Sequence, residues 1–135
     1  MAREGDYISV KLRSEVALRA SYCCEYCLID EVKTGLMCEV DHVIGVKHRG
    51  PTETWNLAYA CFNCNRNKGS DIASIDWDTN EFIRFYNPRS DIWAEHFRLE
   101  GFRIMPTTQI GKVTEAILRF NDLKRLAERD PNSFL

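Results

Sequence analysis

Residues 24–69 read CEYCLIDEVKTGLMCEVDHVIGVKHRGPTETWNLAYACFNCNRNKG, and the rest of the chain is organised around them. Two CxxC pairs, Cys24 with Cys27 and Cys61 with Cys64, stand at the ends and enclose an Asp-His doublet, a lone Asn and a basic loop. Two-residue spacing lets both thiolates of a pair reach one ion at ~2.3 Å, so the four cysteines predict a structural Zn2+. Cys23 lacks that spacing to Cys27, and both it and the isolated Cys38 are expected to be buried small residues. The 33 residues between Cys27 and Cys61 exceed the ~15–20 of a compact zinc ribbon, so the ion would staple a whole hairpin. Such a closure stabilises most where the enclosed segment has little core of its own. The bland alternative is four buried free thiols.

Working outward, residues 8–22 place Ile8, Leu12, Val16, Ala17 and Ala20 on one face of a helix that ends before Cys23. Lys33-Thr34-Gly35 reads as a hairpin-forming turn, Leu36–Ile44 as a strand with Asp41-His42 near its end, and Trp55–Ala60 as the returning strand. Between the strands, residues 45–54 carry Gly45, Gly50 and Pro51 with Lys47, His48 and Arg49, a polar loop. A short helix is expected to open at Asn65-Arg66-Asn67-Lys68 and to end or turn at Gly69. The unit is therefore strand, strand, helix, with its polar residues converging at one end.

These residues also carry a resemblance. The order DH, Asn after 13 intervening residues and Asn after 8 more, set between CEYC and CFNCN, resembles the HNH endonucleases of the ββα-metal type. HRGPT, WNL and CNRNKG occur in that family's order as well, and the likeness covers about residues 20–72. It implies an α+β fold: a ββα-metal core stapled by the four-cysteine zinc site, with an N-terminal helix and a C-terminal hairpin and helix extension. It further implies a metal-dependent DNA endonuclease. His42 matches the general base, Asp41 the metal-binding carboxylate, Asn56 the Asn that fixes the loop bearing the base, and Asn65 the second metal ligand. Many members have His at that last position, so this is the HNN variant.

The chemistry agrees with those roles. Phosphodiester hydrolysis needs a nucleophilic water, a cation to absorb charge on phosphorus and leaving oxygen, and groups that hold the phosphate. A neutral imidazole can take the proton of water, and His42 fits that task. A carboxylate from Asp41 and an amide oxygen from Asn65 make a hard, oxygen-only site suited to catalytic Mg2+ or Mn2+. Adjacent strand residues point to opposite faces, so Asp41 and His42 can serve one phosphate only if the strand ends or twists there. Lys47, His48, Arg49, Arg66 and Lys68 are the nucleic-acid-binding candidates.

Bulk properties set limits. At 135 residues and 44% apolar content the chain suits one domain, with 1–72 as nuclease core and 73–135 as an extension packed on it. A formal net charge of −2 argues against coating nucleic acid by bulk electrostatics. Between His42 and Gly69, however, four Lys and Arg residues stand against Glu53 alone, so phosphate binding would be local. The start MAREGDYISV lacks the apolar region of a secretory signal and no apolar run approaches the ~18 residues of a membrane span. A cytoplasmic protein is expected, with DNA as partner, no membrane, and room for a homodimer.

In the second half, residues 75–87 suggest a hairpin turning at Asp78-Thr79-Asn80, and Trp93, Phe97, Leu99, Phe102, Ile104 and Met105 are core candidates. Phe102–Met105 suggests another strand. Thr108 is placed to cap a helix through Ile110, Val113, Ile117 and Leu118, with Asn121–Arg129 a further short helix. His96 is assigned a structural role. The phrases NPRSDIWAEHF and TQIGKVTEAILRFN look similar to the tail of small standalone bacterial HNH proteins. Two rivals remain: a non-catalytic zinc-dependent nucleic-acid-binding module, which would need the cysteines and cations but not Asp41, His42 and Asn65, and a structural zinc protein that engages other proteins.

Overall fold

The structure is a computed structural model and describes residues 7–130. They fall into two compact units, one within Met1–Ser70 and one within Asp71–Leu135.

In the first unit α1 spans Val10–Arg19, capped by the Ser9 side chain accepting from the Leu12 N–H. Val16 and Ala17 form its buried stripe, while the Arg19 guanidinium donates to Thr54 O at 2.9 Å and Leu57 O at 2.6 Å. The expected turn at Lys33-Thr34-Gly35 is instead a single helical turn, α2 (Glu31–Thr34), capped by Asp30 and closed by Gly35 at φ 72°. Gly35 suits a left-handed helix end as well as a hairpin turn, so its presence could not separate the two.

Strand β1 (Cys38–His42) pairs antiparallel with β2 (Leu57–Cys61), Cys38 opposite Cys61 and His42 opposite Leu57. Both are shorter than the apolar runs suggested. Val43 and Ile44 leave the ladder to bond to Asn56, and Trp55 and Asn56 belong to a 3-10 turn, Thr54–Asn56, ahead of β2. A second such turn covers Val46–His48. Every residue of β2 is buried, so both of its faces are covered, and α1 and α3 (Phe62–Lys68) are the helices packed on it. Helix α3 starts three residues earlier than expected because Cys61 itself caps it, its thiol accepting from the Cys64 N–H.

The second unit contains a β3 (Ala73–Asp76) and β4 (Glu81–Arg84) hairpin with Asn80 at φ 62° in its turn. After α4 (Trp93–His96), β5 (Phe97–Glu100) pairs with β6 (Arg103–Pro106). Thr108 caps α5 (Gln109–Leu118) as expected, accepting from the Gly111 N–H, and α6 (Leu123–Arg129) follows. Helix α5 packs on β3, β4 and β6. Phe97, Ile104, Val113, Leu118 and Phe120 are the buried centre, Phe97 meeting Phe120 edge-on at 5.6 Å. Leu99 and Phe102, expected in this core, are 54% and 42% exposed, because both lie at the turn end of the β5–β6 hairpin. His96 is held by a 2.7 Å hydrogen bond to Thr108 Oγ1. No described helix is long and apolar enough to cross a membrane.

Candidate active site

Two tight turns bring the cysteine quartet together. The Cys27 N–H points at Cys24 Sγ and the Cys64 N–H at Cys61 Sγ, each at 3.4 Å. The four sulfurs lie within 4.8 Å of one another, Cys27 and Cys61 only 3.6 Å apart, and all four residues are buried. Tetrahedral zinc at ~2.3 Å from each sulfur needs sulfurs ~3.8 Å apart, so the quartet fits that ion. Burial pushes the Cys24 and Cys64 thiols well up, and a metal entering here must displace protons. Cys38 is buried opposite Cys61 and stands outside the quartet, whereas Cys23, expected to be buried, is half-exposed at an isolated bridge to Asp30.

The Asp-His doublet divides between the two faces of β1. Asp41 is 5% exposed and points inward, where Tyr26 donates to its Oδ2 at 2.9 Å. The Lys68 ammonium, itself 2% exposed, reaches Asp41 Oδ2 at 3.2 Å and the His42 carbonyl at 3.2 Å. Burial pushes the Asp41 carboxyl up, and the adjoining Lys68 charge and Tyr26 hydroxyl oppose that only in part. Glu39, two residues earlier on the same face, accepts from Asn65 Nδ2 at 2.8 Å. Asn65 and Lys68 are one helical turn apart in α3, so the helix lies along the Glu39–Asp41 face and pairs with it twice. The side-chain oxygen of Asn65 accepts no hydrogen bond among the described residues.

His42 faces the other way and is half-buried, its Nε2 2.9 Å from Thr52 Oγ1, while its Nδ1 has no hydrogen-bond partner among the described residues. The loop that carries Thr52 is pinned by Asn56, which is 2% exposed. The Asn56 Oδ1 accepts from the Ile44 N–H, and its Nδ2 donates to Ile44 O and Pro51 O, each at 3.0 Å. The chain passes so close here that a Cβ on Gly50 would collide with the Ile44 carbonyl. Lys47, His48 and Arg49 are exposed on this loop, His48 Nε2 donating to Ser70 O at 3.0 Å. Arg66 is exposed on α3 with its guanidinium 5.8 Å from the Phe62 ring centre.

Of the residues singled out from the sequence, the structure brings the four cysteines together, sets Lys68 on Asp41, and leaves Lys47, Arg49 and Arg66 open to solvent. Tyr26, Thr52 and Glu39 join them unannounced. For a hard divalent ion the donor chemistry of Asp41 and Asn65 is suitable, but the Lys68 ammonium already stands at the carboxylate.

The first unit is thus a β-hairpin with a helix laid along it, a four-cysteine cluster able to hold zinc at one side, and a histidine beside a pinned basic loop. The family model described as HNH endonuclease matches residues 24–71, roughly a third of the chain, and the chain carries an HNH domain over that stretch. No curated protein and no solved structure gave a match.

Proposed function

We propose that the HNH domain is a metal-dependent DNA endonuclease in which His42 acts as general base. The observation that carries this reading is the state of the imidazole: Nε2 is tied to Thr52 and Nδ1 is left without a partner among the described residues. When Nε2 holds the proton and donates to Thr52, Nδ1 presents its lone pair to a water and can accept the proton lost as that water attacks phosphorus. Asn56 fixes the loop and so fixes Thr52 against the ring. Lys47, His48, Arg49 and Arg66 bind flanking phosphates; Lys68 is buried and acts on Asp41. Asp41 and Asn65 hold Mg2+ or Mn2+, an ion that when bound supplies positive charge to the phosphate and leaving oxygen. Zn2+ at the cysteines is structural.

The engagement of Asp41 by Lys68 gives some support to the rival reading, a nucleic-acid-binding module without catalysis. Incubation of the protein with supercoiled plasmid in Mg2+, Mn2+ or EDTA separates the two. Metal-dependent conversion to open-circle or linear DNA, lost in His42→Ala, is expected; a His42→Ala variant that cuts at the wild-type rate removes His42 from the role. No cleavage of duplex, single-stranded or branched DNA favours the binding module.

A further inference from the structure

We propose that Lys68 is a built-in cation of the active site, whose ammonium competes with a divalent ion for Asp41. The inference rests on the reading of Asp41 as a metal-binding carboxylate. A buried carboxylate cannot stand uncompensated, and in this fold the compensation comes from within. Lys68 is itself buried, reaches Asp41 Oδ1 at 3.4 Å and Oδ2 at 3.2 Å, and is anchored by the His42 carbonyl at 3.2 Å. The second oxygen also receives the Tyr26 hydroxyl. A side chain devoted to phosphate would instead extend into solvent, as Lys47 and Arg49 do from the loop.

Both CxxC turns contribute to this arrangement. Tyr26 lies between Cys24 and Cys27, and Lys68 ends the helix that Cys61 caps and Cys64 enters. The carboxylate is thus gripped from two sides by elements that the zinc quartet fixes, and Tyr26 has no ammonium to surrender. Of the two partners only Lys68 carries a charge that an entering Mg2+ or Mn2+ makes redundant. Two cations sharing one carboxylate in a buried setting repel each other strongly, so metal arrival and Lys68 withdrawal are one event. The open Asn65 oxygen lies on the same helix, one turn away, where the incoming ion would gain a second ligand. The displaced ammonium is then free to meet a substrate phosphate. Competition of this kind weakens metal binding to the free protein and relaxes once DNA offers the lysine another anion.

The test is Mn2+ titration of the full chain with its structural zinc in place, followed by calorimetry and by electron paramagnetic resonance. The wild type, Lys68→Met, Lys68→Gln and Asp41→Asn are compared. Lys68→Gln keeps a neutral donor toward Asp41 and the His42 carbonyl, so it guards against a Lys68→Met chain that does not fold. The expected result is Mn2+ affinity at least tenfold tighter in the folded Lys68 variant and lost in Asp41→Asn. Affinity that needs Asp41 but is unchanged or weaker without Lys68 overturns the competition and leaves the ligand reading intact. Absence of any Mn2+ binding that depends on Asp41 overturns both. In the wild type, the buried Lys68 ammonium should give a lysine 15N NMR signal protected from exchange that loses protection as Mg2+ is added; protection unchanged at saturating Mg2+ counts against the proposal.

Discussion

Replacing Asn56 by Asp tests the pinned loop with almost no change of shape. The Asn56 Oδ1 keeps its bond from the Ile44 N–H, but an oxygen now stands where Nδ2 donated to Ile44 O and Pro51 O. Two buried hydrogen bonds at about 1 kcal/mol each are lost, and two carbonyls facing a carboxylate add the penalty of unpaired buried acceptors, about 1–3 kcal/mol each. Solvent reached through loop opening relieves part of this, so we expect a loss of about 3–4 kcal/mol for Asn56→Asp. Asn56→Ala, which loses all three bonds but admits water, should cost about 2–3 kcal/mol. The assay is urea unfolding of the zinc-loaded chain together with hydrogen exchange at the Ile44 amide, whose acceptor is Asn56 itself. Because Asp retains that acceptor and Ala does not, Ile44 should exchange faster in Ala than loop opening alone explains. A wild-type midpoint in both variants, with Ile44 still protected, would refute the idea that Asn56 holds the loop.

Other expectations follow from the same geometry. Thr52→Val removes the partner of His42 Nε2 at a half-exposed position, so stability should move by under about 1 kcal/mol while cleavage falls by about tenfold or more, read as a lowered kcat in the plasmid assay. Asp41 has a raised folded pKa, so its contribution is fully present below the unfolded carboxyl value of ~3.9 and is lost as pH rises through the folded one. Asp41→Asn should therefore look more stable relative to wild type at pH 7 than at pH 4 in urea titrations. Asp91 behaves oppositely: the bidentate Arg84 guanidinium holds its carboxyl down, so its contribution is present above the unfolded value and lost as pH falls through the lowered one, and Arg84→Met should abolish that downward shift in an NMR titration. Cys61→Ser removes a quartet sulfur while its hydroxyl can still cap α3, so it should release zinc in a chromophoric chelator assay and lower the urea midpoint.

Much of the first unit was legible in its sequence because short spacings carried it. CxxC can do little else than make a tight cysteine turn, whereas the loop-holding role of Asn56 came only from the family resemblance. Contacts made across the hairpin were harder to see. Lys68 is 27 positions from Asp41, and its burial depends on how α3 docks, which no local pattern reports. One clue was present: Glu39 and Asp41 share a strand face, and Asn65 and Lys68 share a helix face, so one docking could satisfy both pairs. Thr52 carried no comparable signal. In the second unit, Phe97 and Ile104 alternate into the core as β-strand periodicity requires, but Leu99 and Phe102 show that an apolar residue near a hairpin tip need not be covered.

The junction at Cys61 has one more consequence. Strand becomes helix there with no intervening loop, since the last residue of β2 is also the cap of α3. The rotational phase of the helix is therefore locked to the pleat of the sheet, like a key cut on the shaft that turns it. One residue inserted after Cys64 would advance everything beyond it by ~100°, carrying Asn65 and Lys68 off the β1 face together while all four sulfurs stayed in place. Whatever length the outer loops of this unit can absorb, the short step from cysteine quartet to helix face can absorb none.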